Sequence, residues 1–146
     1  MSRKKQLLLI AHAPSPNTEK MVAAIQKGAN NPDVTGVEIH YCPPLEVQPS
    51  DIISADALIL GTTENLGYMS GLMKDLFDRC YYPCIEKTQG KPFTFFIRAG
   101  LDGTGTHKAI ETITTGLRWR LVQEPLVCKG GFQEVFIDQC EELGLS

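Results

Sequence analysis

The sequence predicts a three-layer α/β sandwich built on a five-stranded parallel sheet of order 2-1-3-4-5. Short apolar runs alternate with segments of helical periodicity from one end of the chain to the other. That alternation marks a parallel sheet with helices on both faces. The chain has 146 residues, 42% of them hydrophobic, which is the size and composition of a single domain (1–146) able to bury a core. Right-handed crossovers leave few arrangements for five strands, and the order chosen has its switch point between strands 1 and 3.

The elements follow in order. Leu7 to Ala11 is a continuous apolar run, as in a strand buried on both faces. Ser15 is the expected N-cap of the next helix, with Pro16 at its first position. Met21, Val22 and Ile25 carry that helix to about Gly28. Val37, Ile39 and Tyr41 alternate with Glu38 and His40, a strand with one wet face at a sheet edge. Residues 45 to 54 hold at most a short helical turn after Pro49-Ser50-Asp51. Ala57 to Leu60 is the third strand. Met69, Leu72, Met73, Leu76, Phe77 and Cys80 fall on one face of an amphipathic helix. Phe93 to Ile97 is the fourth strand, and Ala109, Ile110, Ile113 and Leu117 mark a helix. Residues 121 to 128 form the fifth strand, broken near Pro125. Val135, Phe136, Cys140 and Leu143 close with a last helix.

Composition excludes several classes. The formal net charge is -3, so a general nucleic-acid surface is not expected. The five cysteines form no disulfide framework, and Cys80 and Cys84 lack the spacing and partners of a zinc or iron–sulfur site. Reduced thiols in a cytoplasmic protein and no metal are the expectation. The apolar run behind Ser2-Arg3-Lys4-Lys5 is too short for a signal peptide, and no stretch is long enough to span a membrane.

Ligands of such sheets bind beyond the carboxyl ends of the strands, so loops 11–18, 61–68 and 98–106 are the places to inspect. The first runs into a helix N-terminus and offers hydroxyls and an amide but no Lys or Arg. It can hold a phosphate by neutral dipoles, or it can be an ordinary capped turn. There is no Gly-x4-Gly-Lys-[Ser/Thr] loop, no Gly-rich dinucleotide fingerprint, and no Cys followed by Arg six positions on. A receiver domain would carry acids after strand 1, where His12 and Ala13 stand.

The second loop continues into the helix as Gly61-Thr62-Thr63-Glu64-Asn65-Leu66-Gly67-Tyr68-Met69-Ser70-Gly71-Leu72-Met73-Lys74-Asp75-Leu76-Phe77-Asp78-Arg79. It resembles the signature of the flavodoxin-like flavoproteins, nearest the NAD(P)H-dependent FMN reductase and quinone reductase branch. Gly61, Thr62, Gly67, Met69, Ser70, Gly71, Met73, Lys74, Asp78 and Arg79 match in register. The similarity of layout covers nearly the whole chain. Thr63 and Glu64 depart from the family's Pro-Thr, and the common aromatic is absent from 64–66, with Tyr68 two residues on.

The resemblance implies an FMN site. His12, Ser15, Pro16, Asn17 and Thr18 would surround the 5′-phosphate. Thr62, Thr63, Glu64, Asn65, Leu66, Gly67, Tyr68 and Met69 would line the isoalloxazine. Arg98, Ala99, Gly100, Asp102 and Gly103 would border its pyrimidine end. Reduction places a proton on the flavin N5 and charge near N1, and Gly67 can rotate its peptide at low cost to follow that change. No catalytic side chain is required, because the cofactor carries the redox step. Tyr68 is either a ring-stacking residue or a helix-start core residue. Glu64 and the first-turn residues His107 and Lys108 are expected to face solvent. Trp119 is expected at the junction of helix 4 and strand 5.

Three functions follow as expectations. The leading one is an oxidoreductase that moves electrons from NAD(P)H through FMN to a quinone, a flavin or another small acceptor. The alternative is an electron carrier that docks to redox proteins. The third is a cofactor-less binding module of the same fold. Pairing of two copies would supply walls for the flavin that 146 residues lack.

Overall fold

The computed structural model describes residues 4–140 apart from 33, 35, 101, 102, 131, 132 and 137. The elements run β1 (Lys5–Ala11), α1 (Pro16–Ala29), β2 (Val37–Cys42), a 3-10 turn (Pro44–Glu46), α2 (Pro49–Ser54), β3 (Ala57–Asn65) and β4 (Tyr68–Met69). They continue as α3 (Gly71–Cys84), β5 (Pro92–Ala99), α4 (Thr104–Gly116), β6 (Arg120–Leu121) and β7 (Leu126–Lys129). A last helical stretch lies within 135–140. The expected Leu143 falls outside the described residues. Among the described residues no helix is long and apolar enough to cross a membrane.

The sheet has the order β2-β1-β3-β5-β6, with β7 also paired to β5. β1 pairs in parallel with β2 and β3, and β5 pairs in parallel with β3, β6 and β7. The strand count is seven rather than five, for two physical reasons. The fifth strand is split into β6 and β7 around Pro125, whose missing N–H cannot serve a ladder. β4 is a short antiparallel return on β3.

Each face of the sheet carries its own core. Leu8, Ile10, Leu58, Leu60, Phe93, Phe95 and Ile97 point to one side, against Val47, Ile52, Met73, Leu76, Phe77, Ile110 and Trp119. Leu9, Ala11, Ile59 and Phe96 point to the other, against Met21, Val22, Ile25, Phe136 and Cys140. The alternation along each strand is the period-two rule, applied to strands buried on both faces. β2 and β6, the two ends of the strand order, keep wet patterns, as edge strands should.

Trp119 is buried between Phe77 and Phe93, and its Nε1–H donates to Thr88 Oγ1 at 2.8 Å. It therefore sits where α4 hands over to β6. Gly61 stands between Ala11 and Phe96 in register, and the Phe96 ring occupies the space a Cβ would need there.

Candidate functional site

The three segments leave adjacent strands at their carboxyl ends. β1 ends at Ala11, level with Gly61, and Thr63 of β3 is level with Arg98 of β5. The His12 N–H donates to the Gly61 carbonyl at 3.0 Å, so the first segment departs directly alongside the second.

Ser15 caps α1 in a reciprocal box. Thr18 N–H donates to Ser15 Oγ at 3.2 Å, and Ser15 N–H donates to Thr18 Oγ1 at 3.0 Å. Thr18 Oγ1 also donates to the Ser15 carbonyl at 2.9 Å. The box forms because Ser and Thr stand three positions apart across Pro16, whose fixed φ suits the first helical turn. Asn17 sits between them, at the positive end of a 14-residue helix. Pro14 and Pro16 bring no N–H to this turn. Tyr41, a neighbour the sequence reading placed only within an edge strand, donates its hydroxyl to the Ala11 carbonyl at 3.2 Å. Partial burial raises its phenol pKa, with Cys42 adding to the effect.

The second segment is not a loop. β3 continues to Asn65 and turns back through Leu66-Gly67 into β4, with Glu64 opposite Met69 and Asn65 opposite Tyr68. Leu66 at φ 53 and Gly67 at φ 78 give the two-residue turn that matches strand twist. Thr62 is buried at the base of the hairpin. Its Oγ1 accepts the Ser70 N–H at 2.9 Å and donates to the Thr63 carbonyl at 2.9 Å. Thr63 Oγ1 donates to Asn65 Oδ1 at 3.1 Å. Met69 therefore belongs to β4 rather than to the helix, which starts at Gly71 under a Ser70 cap on the Met73 N–H. Leu66 is fully exposed at the tip. Tyr68 is partly exposed and lines a surface cleft with Phe77, Tyr81, Tyr82 and Ile113.

In the third segment the Arg98 guanidinium donates to the Ala99 carbonyl at 3.0 Å and the Cys128 carbonyl at 3.3 Å, and lies 5.1 Å over the Phe136 ring. It thus fastens β5 to β7 and to the last helical stretch. Gly100 faces open space, and Gly103 caps α4 at φ 72, where Val127 leaves no room for a side chain. Asp102 lies outside the described residues. His107 is half-buried against Phe95 and pairs with Glu111 at 3.0 Å, while Lys108 is exposed. Thr106, in the first turn of α4, is fully buried, and its hydroxyl has no hydrogen-bond partner among the described residues. Gly105 beside it, expected with the rest of the third loop to border the flavin by its backbone, lies against the Gly67 carbonyl of the hairpin.

The donor set suits a phosphate ester held by backbone and side-chain dipoles: two hydroxyls, one amide and a helix N-terminus, with no Lys or Arg between 11 and 18. The hairpin and residues 98–100 and 103 bring peptide groups and glycines, the material for a flat polar ring. Among the described residues no group of three or more His, Cys, Asp or Glu side chains could hold a metal ion.

Architecture and strand order define a flavodoxin-like fold. The solved structure of two-electron reduced flavodoxin from Megasphaera elsdenii superposes with a TM-score of 0.77 at 16% identity, covering 95% of this chain and 96% of that one. A flavodoxin, WrbA-like protein from Agrobacterium tumefaciens gives 0.73 at 17% identity, covering 97% and 93%. In sequence, the chain is 30% identical to a flavodoxin of Aquifex aeolicus over 112 residues, 77% of this chain. The match spans 60% of that relative's length. No protein-family model matches the chain.

Proposed function

We propose that the protein binds FMN across the carboxyl ends of β1, β3 and β5 and transfers electrons through it, taking them from NAD(P)H and passing them to a quinone, a flavin or another small acceptor. The observation that carries this reading is the convergence of three segments from adjacent strands: the capped turn at Ser15–Thr18, the Gly67 hairpin and the end of β5 at Arg98–Gly100. FMN would supply the redox chemistry. The chain's own part is to hold and orient. Ser15, Asn17 and Thr18 would bind the phosphate at the N-terminus of α1. Thr62 fixes the hairpin base to Ser70, so that the 64–68 peptide groups keep their place. Gly67, with no Cβ, would set which end of the turn's peptide faces the ring edge. The resemblance of the second segment to the reductase branch supports NAD(P)H as donor. The free thiols fit a reducing cytoplasm, and pairing of two copies around the flavin belongs to the same reading.

A carrier that docks to redox proteins is the second reading, favoured by one observation: the hairpin tip presents a fully exposed Leu66 beside the site. Both readings share the cofactor and part at the donor. Titration of the purified protein with FMN should quench flavin fluorescence to a one-to-one end point. Anaerobic NADPH or NADH should then bleach the bound flavin. Bleaching only by photoreduction, in one-electron steps, would move the conclusion to the carrier. No quenching at any FMN concentration would end both readings.

A further inference from the structure

We propose that Gly105, at the start of α4, is a positioning residue that seats the Gly67 carbonyl and so tunes the potential of the bound cofactor; this rests on the FMN reading above. A Cβ built on Gly105 would overlap the Gly67 oxygen, while the Gly67 carbonyl carbon stays 3.5 Å away. The oxygen end of that peptide therefore faces α4. Gly105 lies in the first turn of a 13-residue helix whose N-cap, Gly103, makes no side-chain cap bond. A carbonyl oxygen brought to this positive end is favoured electrostatically.

The seat exists only because position 105 has no side chain. A glycine in a helix is less favourable than an alanine, and Gly105 is exposed, so core packing gives no reason for it. The contact with Gly67 does. Gly67 is also the residue of the turn that can rotate its peptide cheaply, since it has no Cβ and already stands at φ 78. While its carbonyl is committed to α4 it cannot accept a hydrogen bond from a protonated flavin N5. Filling the seat frees the carbonyl, and the reduced cofactor gains an acceptor.

The test is Gly105→Ala beside Gly71→Ala, a first-turn helix glycine whose added Cβ would meet nothing within 4 Å. In the FMN-free protein, G105A should displace the backbone amide resonances of 66–68, and G71A should leave those of 66 and 67 in place. With FMN bound, G105A should raise the midpoint potential above that of the wild type and of G71A. Unmoved hairpin resonances, or a potential unchanged or lowered, would overturn the proposal. If the wild type binds no FMN, the cofactor reading fails by itself, while the FMN-free resonances still report on the seat. Should G105A not fold, a crystal structure of the wild type decides: the Gly67 oxygen is expected against the Gly105 Cα, and an oxygen turned away from α4 overturns the seat.

Discussion

Ser15 and Thr18 do two jobs with the same oxygens. Each satisfies the other's backbone N–H in the box that starts α1, and each is a candidate donor to a phosphate, Thr18 once its hydroxyl proton turns away from the Ser15 carbonyl. A phosphate at this turn has to be bound on top of those bonds rather than in place of them, since α1 needs its cap either way. Ser15→Ala separates the two jobs. Loss of an N-cap costs about 1 kcal/mol of stability, to be read from the urea midpoint. Loss of a hydrogen bond to a charged group costs about 2 kcal/mol, so FMN affinity should fall roughly thirtyfold. A variant that loses stability but keeps its FMN affinity would reduce Ser15 to a cap. The cap itself was legible from four consecutive residues, because capping is local chemistry. The seat at Gly105 was not legible, because its partner lies 38 positions back along the chain.

At the scale of elements, the matched signature that ends in Asp78-Arg79 turns out to include structural work. Arg79 Nε donates to Asp75 Oδ2 at 2.7 Å, Nη1 to the Val47 carbonyl at 2.7 Å, and Nη2 to the Pro44 carbonyl at 2.8 Å. One guanidinium thereby ties the 3-10 turn after β2 to α3, across a stretch whose prolines leave its carbonyls without a regular ladder. Lysine cannot reproduce this fork. Arg79→Lys should lower stability by about 1–3 kcal/mol in thermal or urea unfolding, with FMN affinity kept; a large loss of affinity would place Arg79 in the site instead. The same stretch explains where the sequence misled. Thr62-Thr63-Glu64-Asn65 has no apolar alternation, and Leu66-Gly67 lacks the Asn-Gly turn signal, so the segment reads as a loop. It pairs as a hairpin because Thr62 and Ser70 lock its base, a tertiary contact that no local pattern encodes. By contrast, Pro125 announced the break between β6 and β7 directly. The start of α4 at Thr104 was hidden behind Gly103 and Gly105, residues that read as turn.

Across the whole molecule, the two cores bury four of the five thiols, and this couples stability to alkaline pH. Cys80 is 3% exposed between α3 and the sheet. Burial, reinforced by the neighbouring Cys84, pushes its thiol from the ordinary 9.0 up to about 11. Burial raises Cys84 and Cys42 as well. Cys140 is raised by its hydrogen bond to Cys128, which the same bond lowers, so that pair opposes itself. For Cys80 the sign is unambiguous. The unfolded chain gives up this proton near pH 9, whereas the folded chain holds it until about 11. The unfolded state therefore binds fewer protons in that window, and stability falls as pH rises through it. Below pH 9 both states are protonated and the contribution is fully present. Urea midpoints measured from about pH 7 to 10.5 should stay level at first and then decline above 9. Cys80→Val, which keeps the apolar packing and removes the proton, should flatten part of that decline. An identical slope in the variant would assign the alkaline loss to other groups and leave the Cys80 thiol thermodynamically silent.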